Sequence, residues 1–170
     1  EKLLISKKNK TNKICTILRF ATAYGSSPRM RFDLTVNEFV KTLYDKKILE
    51  IYDKHTWRPY CHTRDFAKII NMIFNAKKNK VNFKIFNAGS SKNNFTKLML
   101  AKKIKKFFNK PKINFLNKSK DMRNYSVNFD KIKKLGFKSS WSLEKGIKEI
   151  IENLKKKKYS NYKKWNYKIF

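Results

Sequence analysis

Arginine is the residue type that most narrows the chemistry of this chain. There are six, at positions 19, 29, 31, 58, 64 and 123, set among 37 lysines. An ammonium can supply charge anywhere, whereas a planar guanidinium grips two phosphate oxygens at once and stacks on rings. Grouped as Arg19, Arg29 and Arg31, then Arg58 and Arg64, then Arg123, they predict a phosphate or diphosphate ligand. The competing reading is that some of them anchor loops through carbonyls and carboxylates, Arg19 at a strand end and Arg64 beside a helix start above all. Other chemistries are poorly provided for. His55 lies in a polar loop, and His62 sits in an extended run before a helix, where it reads as a hydrogen-bonded structural histidine more readily than a catalytic one. Cys15 and Cys61, with two histidines and no further cysteine, build no zinc site. Gly25, Gly89, Gly136 and Gly146 are the only glycines, too few for a dinucleotide fingerprint or a phosphate-binding loop. Neither G-x-S-x-G nor H-E-x-x-H occurs, so the residues by themselves form no catalytic constellation.

The elements that must position these side chains alternate between strand and helix. Ile14 to Phe20 is a short apolar, β-branched run of strand length, closed by the turn signal Tyr24-Gly25-Ser26-Ser27-Pro28. Val36, Phe39, Val40, Leu43 and Tyr44 share one helical face. Ile48 to Tyr52 alternates as a strand, Arg58 to Thr63 reads as extended, and Asp65 is placed to cap a helix carrying Phe66, Ile69, Ile70, Ile73 and Phe74. Phe83 to Phe86 is a further strand. Thr96 is a cap for a helix with Leu100, Ile104, Phe107 and Phe108 inward, stopped by Pro111. A strand near Ile113 to Phe115 follows, then Asp130 capping a brief helix, then Ser142 opening a last helix with Leu143, Ile147, Ile150, Ile151 and Leu154 on one face. This alternation argues for an α/β fold with parallel pairs. Glu1 to Ser6 reads as the end of a helix already under way, the expectation for the back part of a longer protein.

Composition adds limits. A formal charge of +31 on 170 residues is extreme, yet 41% of the chain is hydrophobic and 15% aromatic, so a core is available and disorder is disfavoured. Lys, Asn, Ile and Phe fill half of all positions, the skew an AT-rich coding sequence imposes, and the lysines read as a solvated coat. Residues 155–170, with seven lysines and five aromatics, read as a loose terminal tail. The sharper alternative is a basic-aromatic strip for nucleic acid or an anionic surface. The scatter of lysines through every segment argues against a nucleic-acid module. No stretch approaches the length of a membrane span, and sparse cysteine points to a reducing, cytoplasmic setting.

The order of segments carries a resemblance. L-R-F-A-T-A-Y-G (18–25), P-R-M-R-F-D-L-T-V-N (28–37), W-R-P-Y-C-H-T-R-D (57–65), I-F-N-A-G-S (85–90), F-D-K-I-K-K-L-G-F (129–137) and W-S-L-E-K-G-I (141–147) resemble the C-terminal half of the NAD-dependent epimerase/dehydratase family. These are extended short-chain dehydrogenase/reductases acting on nucleotide sugars. The resemblance implies the C-terminal remnant of a Rossmann-type parallel sheet, residues 1–32 and 63–92, plus a small α/β substrate-binding lobe, residues 33–62 and 93–154.

It also implies roles. Arg58 matches the arginine of the family's R-x-[FY]-[IV]-H-V-x-D pattern, which binds the ligand's diphosphate, and Arg123 resembles a second arginine closing on the same group. His62 and Asp65 match that pattern's H and D. Thr22 falls where many members have an Asn touching the sugar nucleotide, and Asp33 or Asn37 lies where members present an Asn to the nucleotide. Phe20, Ala21 and Tyr24 fall in the segment whose backbone passes the nicotinamide, so NAD or NADP is the implied cofactor. A nucleotide sugar is the implied substrate, and homodimerisation of the intact protein the implied assembly. In the family a glycine-rich fingerprint, a Ser/Thr and a Tyr-x-x-x-Lys precede these segments. None stands ahead of Ile14 here, so this chain alone is expected to be inactive.

Overall fold

The computed structural model describes residues 1–8, 10–116 and 123–159. In chain order the elements are helix α1 (Lys2–Ser6), strands β1 (Thr16–Phe20) and β2 (Thr22–Tyr24), α2 (Thr35–Lys46), β3 (Ile48–Tyr52), β4 (Trp57–His62), α3 (Thr63–Phe74), α4 (Lys78–Val81), β5 (Lys84–Ala88), β6 (Asn94–Thr96), α5 (Lys97–Lys105), β7 (Lys112–Leu116), α6 (Asp130–Lys134) and α7 (Leu143–Lys155). A 3-10 turn at Ser91–Asn93 joins β5 to β6. The strands form three small sheets among the described residues. β1 pairs in parallel with β5, Thr16 facing Lys84 and Phe20 facing Ala88. β4 is flanked by β2 in parallel and β6 antiparallel. β3 pairs in parallel with β7. Parallel pairing requires a crossover, and the intervening helices supply it.

Two apolar clusters hold these sheets. One joins α2, β3, α5 and α7 through Val40, Leu43, Ile51, Leu100, Ile104, Ile147 and Ile150. The other lies around β5, with Phe86 and Ala88 packed among Ile69 of α3, Val81, and Phe129, Ile132 and Phe137. Phe129, Ile132 and Phe137 thus pack against β5 of the β1–β5 pair. A parallel pair is stable only when covered on both faces. Here β5 is the better covered strand, with Phe86 and Ala88 buried, and neither β1 nor β5 has a second neighbour among the described residues.

Thr96 and Ser142 cap their helices as their types dictate, accepting from Met99 N (3.1 Å) and Lys145 N (3.1 Å). Four expectations change. Asp65 does not cap α3: the helix starts two residues earlier, and the His62 side chain takes the cap by accepting from Arg64 N at 3.2 Å. Asp130 does not cap α6 either, since Phe129 holds that place and Asp130 is bonded to Asn128. The helix faces are narrower than periodicity suggests, because Tyr44, Ile70 and Phe74 are exposed. The start of the terminal stretch is not loose: Tyr159 is buried, edge-on to Phe32, and its hydroxyl donates to Ser26 Oγ at 2.8 Å. The rest of that stretch, 160–170, lies outside the described residues.

Candidate functional site

A cleft of about 430 Å³ opens at the carboxyl ends of β1 and β5. In open α/β sheets this is where ligands bind. Arg19, Phe20 and Ala21 form one wall, Asn87 and Pro59 another, and the irregular segment Tyr125–Asn128 crosses the cleft as a strap. β1 delivers Arg19 and Phe20 to this rim because its apolar residue Leu18 is drawn into the core around β5.

The strap is held mostly by side chains reaching backbone, with one backbone–backbone bond and no sheet ladder. Asn124 Oδ1 accepts from Trp57 N at 2.9 Å, and Tyr125 N donates to Trp57 O at 3.3 Å. Asn87 Nδ2 donates to Asn128 O at 3.1 Å, and Phe129 N donates to Ser91 Oγ at 3.2 Å. The carbonyl of Trp57 also accepts from Arg58 Nη1 at 3.0 Å, and the guanidinium of Arg58 lies 5.1 Å from the centroid of the Tyr125 ring. A guanidinium at that distance from a ring face is attracted by its quadrupole. Neither Arg58 nor Arg123 is among the residues lining the cleft; Arg58 is fixed beside it, next to the lining residues Pro59 and Tyr125, by both the strand start and the strap. Arg123 stands exposed on the same segment, two residues before Tyr125.

The remaining residues marked by the sequence fall in different places. Phe20 and Ala21 line the cleft. Thr22 is half-buried in β2, opposite Tyr60 of β4. Tyr24 is withdrawn from the cleft: its ring is wholly buried, edge-on to His62, and burial pushes its phenol well above the ordinary value of 10.0. The neighbouring phenol of Tyr60 is pushed up to about 12, burial again being the main cause. Asn37 is buried, and its carboxamide joins two loops by accepting from Gly25 N (3.0 Å) and donating to Arg31 O (2.9 Å). Asp33 is at the surface, paired with Arg31, which holds its carboxyl below the ordinary value of 3.8. Neither Asp33 nor Asn37 lines the cleft. Arg19 at its rim is paired with Glu1, Nε to Oε1 at 2.8 Å. Sequence reasoning missed Tyr125, Asn87 and Asn94, because an aromatic in an irregular segment or an amide in a short strand carries no periodic signal.

His62 has a different task. Its imidazole is fully buried, stacked on Trp141 at 4.0 Å between centroids, with Nδ1 accepting from Arg64 N and Nε2 donating to Glu149 at 3.0 Å. Glu149 also accepts from Ser26 N (3.0 Å) and pairs with Arg64 (3.0 Å). Burial pushes His62 below its ordinary 6.5, a drop that the Glu149 charge only partly offsets, so the ring is neutral with its proton on Nε2. Asp65, also buried, accepts from Ser139 Oγ, Ser140 N, Ser140 Oγ and Trp141 N, holding the loop that carries Trp141. Both residues build the support behind the cleft and not its surface. Among the described residues no group of histidine, cysteine and carboxylates could hold a metal, and no helix is long and apolar enough to cross a membrane.

Comparison with known proteins agrees with this architecture. Residues 2–89, just over half of the chain, match the family model described as NAD dependent epimerase/dehydratase. The fold is similar to that of a dTDP-glucose 4,6-dehydratase from Bacillus anthracis, solved in complex with NAD: TM-score 0.77, 19% identity, covering 97% of this chain and 52% of that one. It is similar also to a UDP-glucose 4-epimerase from Thermotoga maritima, solved with UDP-glucose, at TM-score 0.74 and 22% identity over 92% of this chain and 50% of that one. A UDP-glucuronic acid 4-epimerase from Bacillus cereus, in complex with UDP-glucuronic acid and NAD, gives TM-score 0.74 and 22% identity over 91% and 49%. The chain spans about half the length of the solved structures it matches.

Proposed function

This chain belongs to the NAD dependent epimerase/dehydratase family, and from that premise we propose that it is the substrate-binding portion of an NAD(P)-dependent nucleotide-sugar epimerase or dehydratase. The observation that carries the proposal is Arg58, held beside the strand-end cleft by the Trp57 carbonyl and by the ring of the cleft-lining Tyr125. There it binds the diphosphate of a nucleotide sugar through charge-assisted hydrogen bonds. Arg123, on the strap that crosses the cleft, closes on the same group. Thr22 faces the sugar end. Asn37 acts indirectly, by fixing the Gly25 turn, and Asp33 by holding Arg31 beside it.

Phe20 and Ala21 give the cleft an apolar wall suited to a flat heteroaromatic ring, which is the side we assign to the nicotinamide of NAD or NADP. The cofactor would supply hydride removal and return. This chain's part is to orient the sugar nucleotide and to exclude water beneath the strap. The cofactor's own pyrophosphate has no glycine-rich loop among these residues, so the intact protein holds it elsewhere. The open edge of β1 is where the rest of the cofactor-binding sheet joins. Residues 1–32, 63–92 and 129–137 form its last part, and 33–62 with most of 93–154 form the substrate lobe. The intact protein is a homodimer in this reading, and the chain by itself turns nothing over.

A thermal-shift panel of UDP-, dTDP-, GDP- and CDP-sugars tests the proposal. At a ligand concentration a hundred times Kd, linkage contributes about 2.7 kcal/mol, a rise of about 5 °C or more for a domain of this size. One nucleotide class is expected to give that shift. A flat response to all four sugars and to the free diphosphates contradicts it.

A further inference from the structure

We infer that Asn94 is a positioning residue for the diphosphate site, acting through the strap. The inference rests on the diphosphate reading of Arg58 and adds the residue that sets where the strap lies. Asn94 stands in β6 opposite Pro59 of β4, immediately beside the Arg58–Phe95 pair. Its carboxamide makes a reciprocal bond with one strap residue: Oδ1 accepts from Val127 N at 3.0 Å, and Nδ2 donates to Val127 O at 3.0 Å. The second Nδ2 proton goes to Ser91 O at 3.1 Å. A side-chain amide here does what a neighbouring strand's peptide would do, satisfying both backbone groups of Val127 and fixing strap register where no ladder exists.

The consequence for Arg58 follows from geometry. With Val127 pinned, Tyr125 reaches back to donate to Trp57 O, the same carbonyl that accepts from Arg58, and its ring meets the guanidinium. If the strap slips, the ring contact and the shared acceptor are lost together. Neither variant residue tested below does the same work: an aspartate at 94 would set a carboxylate against the carbonyls of Ser91 and Val127, and alanine would leave both Val127 groups unmet.

The test combines amide exchange with calorimetry, using UDP as the probe, on wild type, Asn94→Ala, Asn94→Asp and Arg58→Lys. Both Asn94 variants are expected to speed exchange of the Val127 amide at least tenfold while the Tyr60 and Cys61 amides of β4 stay protected. UDP affinity should fall about tenfold, and adding Arg58→Lys to Asn94→Ala should cost little more, because the two residues act on one contact. Unchanged Val127 exchange overturns the inference. So does unchanged UDP affinity in the Asn94 variants while Arg58→Lys weakens it, or strict additivity of the two changes. If wild type itself binds no UDP, the diphosphate reading fails and takes the ligand role of Asn94 with it, an outcome told apart by its appearing before any substitution is made.

Discussion

His62 shows how one residue can look catalytic by type and be structural by place. An imidazole in a family pattern beside a carboxylate suggests proton transfer, yet both of its nitrogens are spent inside the core, on Arg64 N and on Glu149. Its structural reading was open to sequence, because it precedes a helix start. Its role as the cap was not, because Asp65 is the better capping type and only the fold shows that carboxylate turned to Ser139, Ser140 and Trp141. A pH dependence follows. The folded pKa of His62 lies below 6.5, so as pH falls the unfolded chain takes up a proton first. The stability tied to the neutral ring is present above pH 6.5 and is lost as pH drops from there toward the folded value. Urea midpoints should therefore decline between pH 7.5 and 5.5, and decline less in His62→Gln. The paired carboxylates of Asp33 and Glu144, both lowered below their ordinary values, act only at more acid pH. A midpoint flat across that range contradicts the assignment.

Elements were legible wherever one apolar face repeats. α2, α5 and α7 were found with most of their inward residues, Tyr44 being exposed and Phe107 and Phe108 lying past the end of α5, and β3 with both ends, because each has a single buried side. β2 and β6 escaped notice, since three-residue strands carry too little pattern and owe their existence to β4 between them. The strap escaped altogether: its partners are asparagine side chains far off in sequence. Close approach of elements leaves a sharper mark. Gly146 lies in the middle of α7, where alanine would ordinarily gain about 1 kcal/mol in helix propensity. Its added Cβ would lie 2.6 Å from Tyr24 Cε2 and 3.0 Å from His62 Cδ2, both buried rings with nowhere to go. Overpacking of this kind costs about 1–3 kcal/mol. Gly146→Ala is thus expected to lower stability by up to about 2 kcal/mol in chemical denaturation, and a stabilised variant would show that α7 does not press on Tyr24.

At the scale of the whole molecule the apolar surface is unevenly covered. α3 offers the comparison within one helix: Ile69 is wholly buried against the β5 cluster, while Phe74 is 84% exposed beside a groove of about 470 Å³ with Ile14, Leu18 and Ile70. Ile69→Ala should cost about 2–5 kcal/mol, whereas Phe74→Ser should change the chain's own stability by no more than about 0.5 kcal/mol. Equal losses would mean that the groove is already filled. The packing of residues 129–137 on the β1–β5 pair was not readable from segment order, since only tertiary packing brings Phe129 and Phe137 to Phe86. The charge of +31 told less, being spread along the chain and not gathered at the cleft. The proposed diphosphate site rests on one arginine at a fixed strand start, Arg58. Calorimetric titration of UDP into wild type and Arg58→Lys tests this most directly: exchanging a bidentate guanidinium for an ammonium should weaken binding by about 1.5–3 kcal/mol, roughly ten- to a hundredfold. Equal affinity for the two proteins would remove Arg58 from the site and contradict the account.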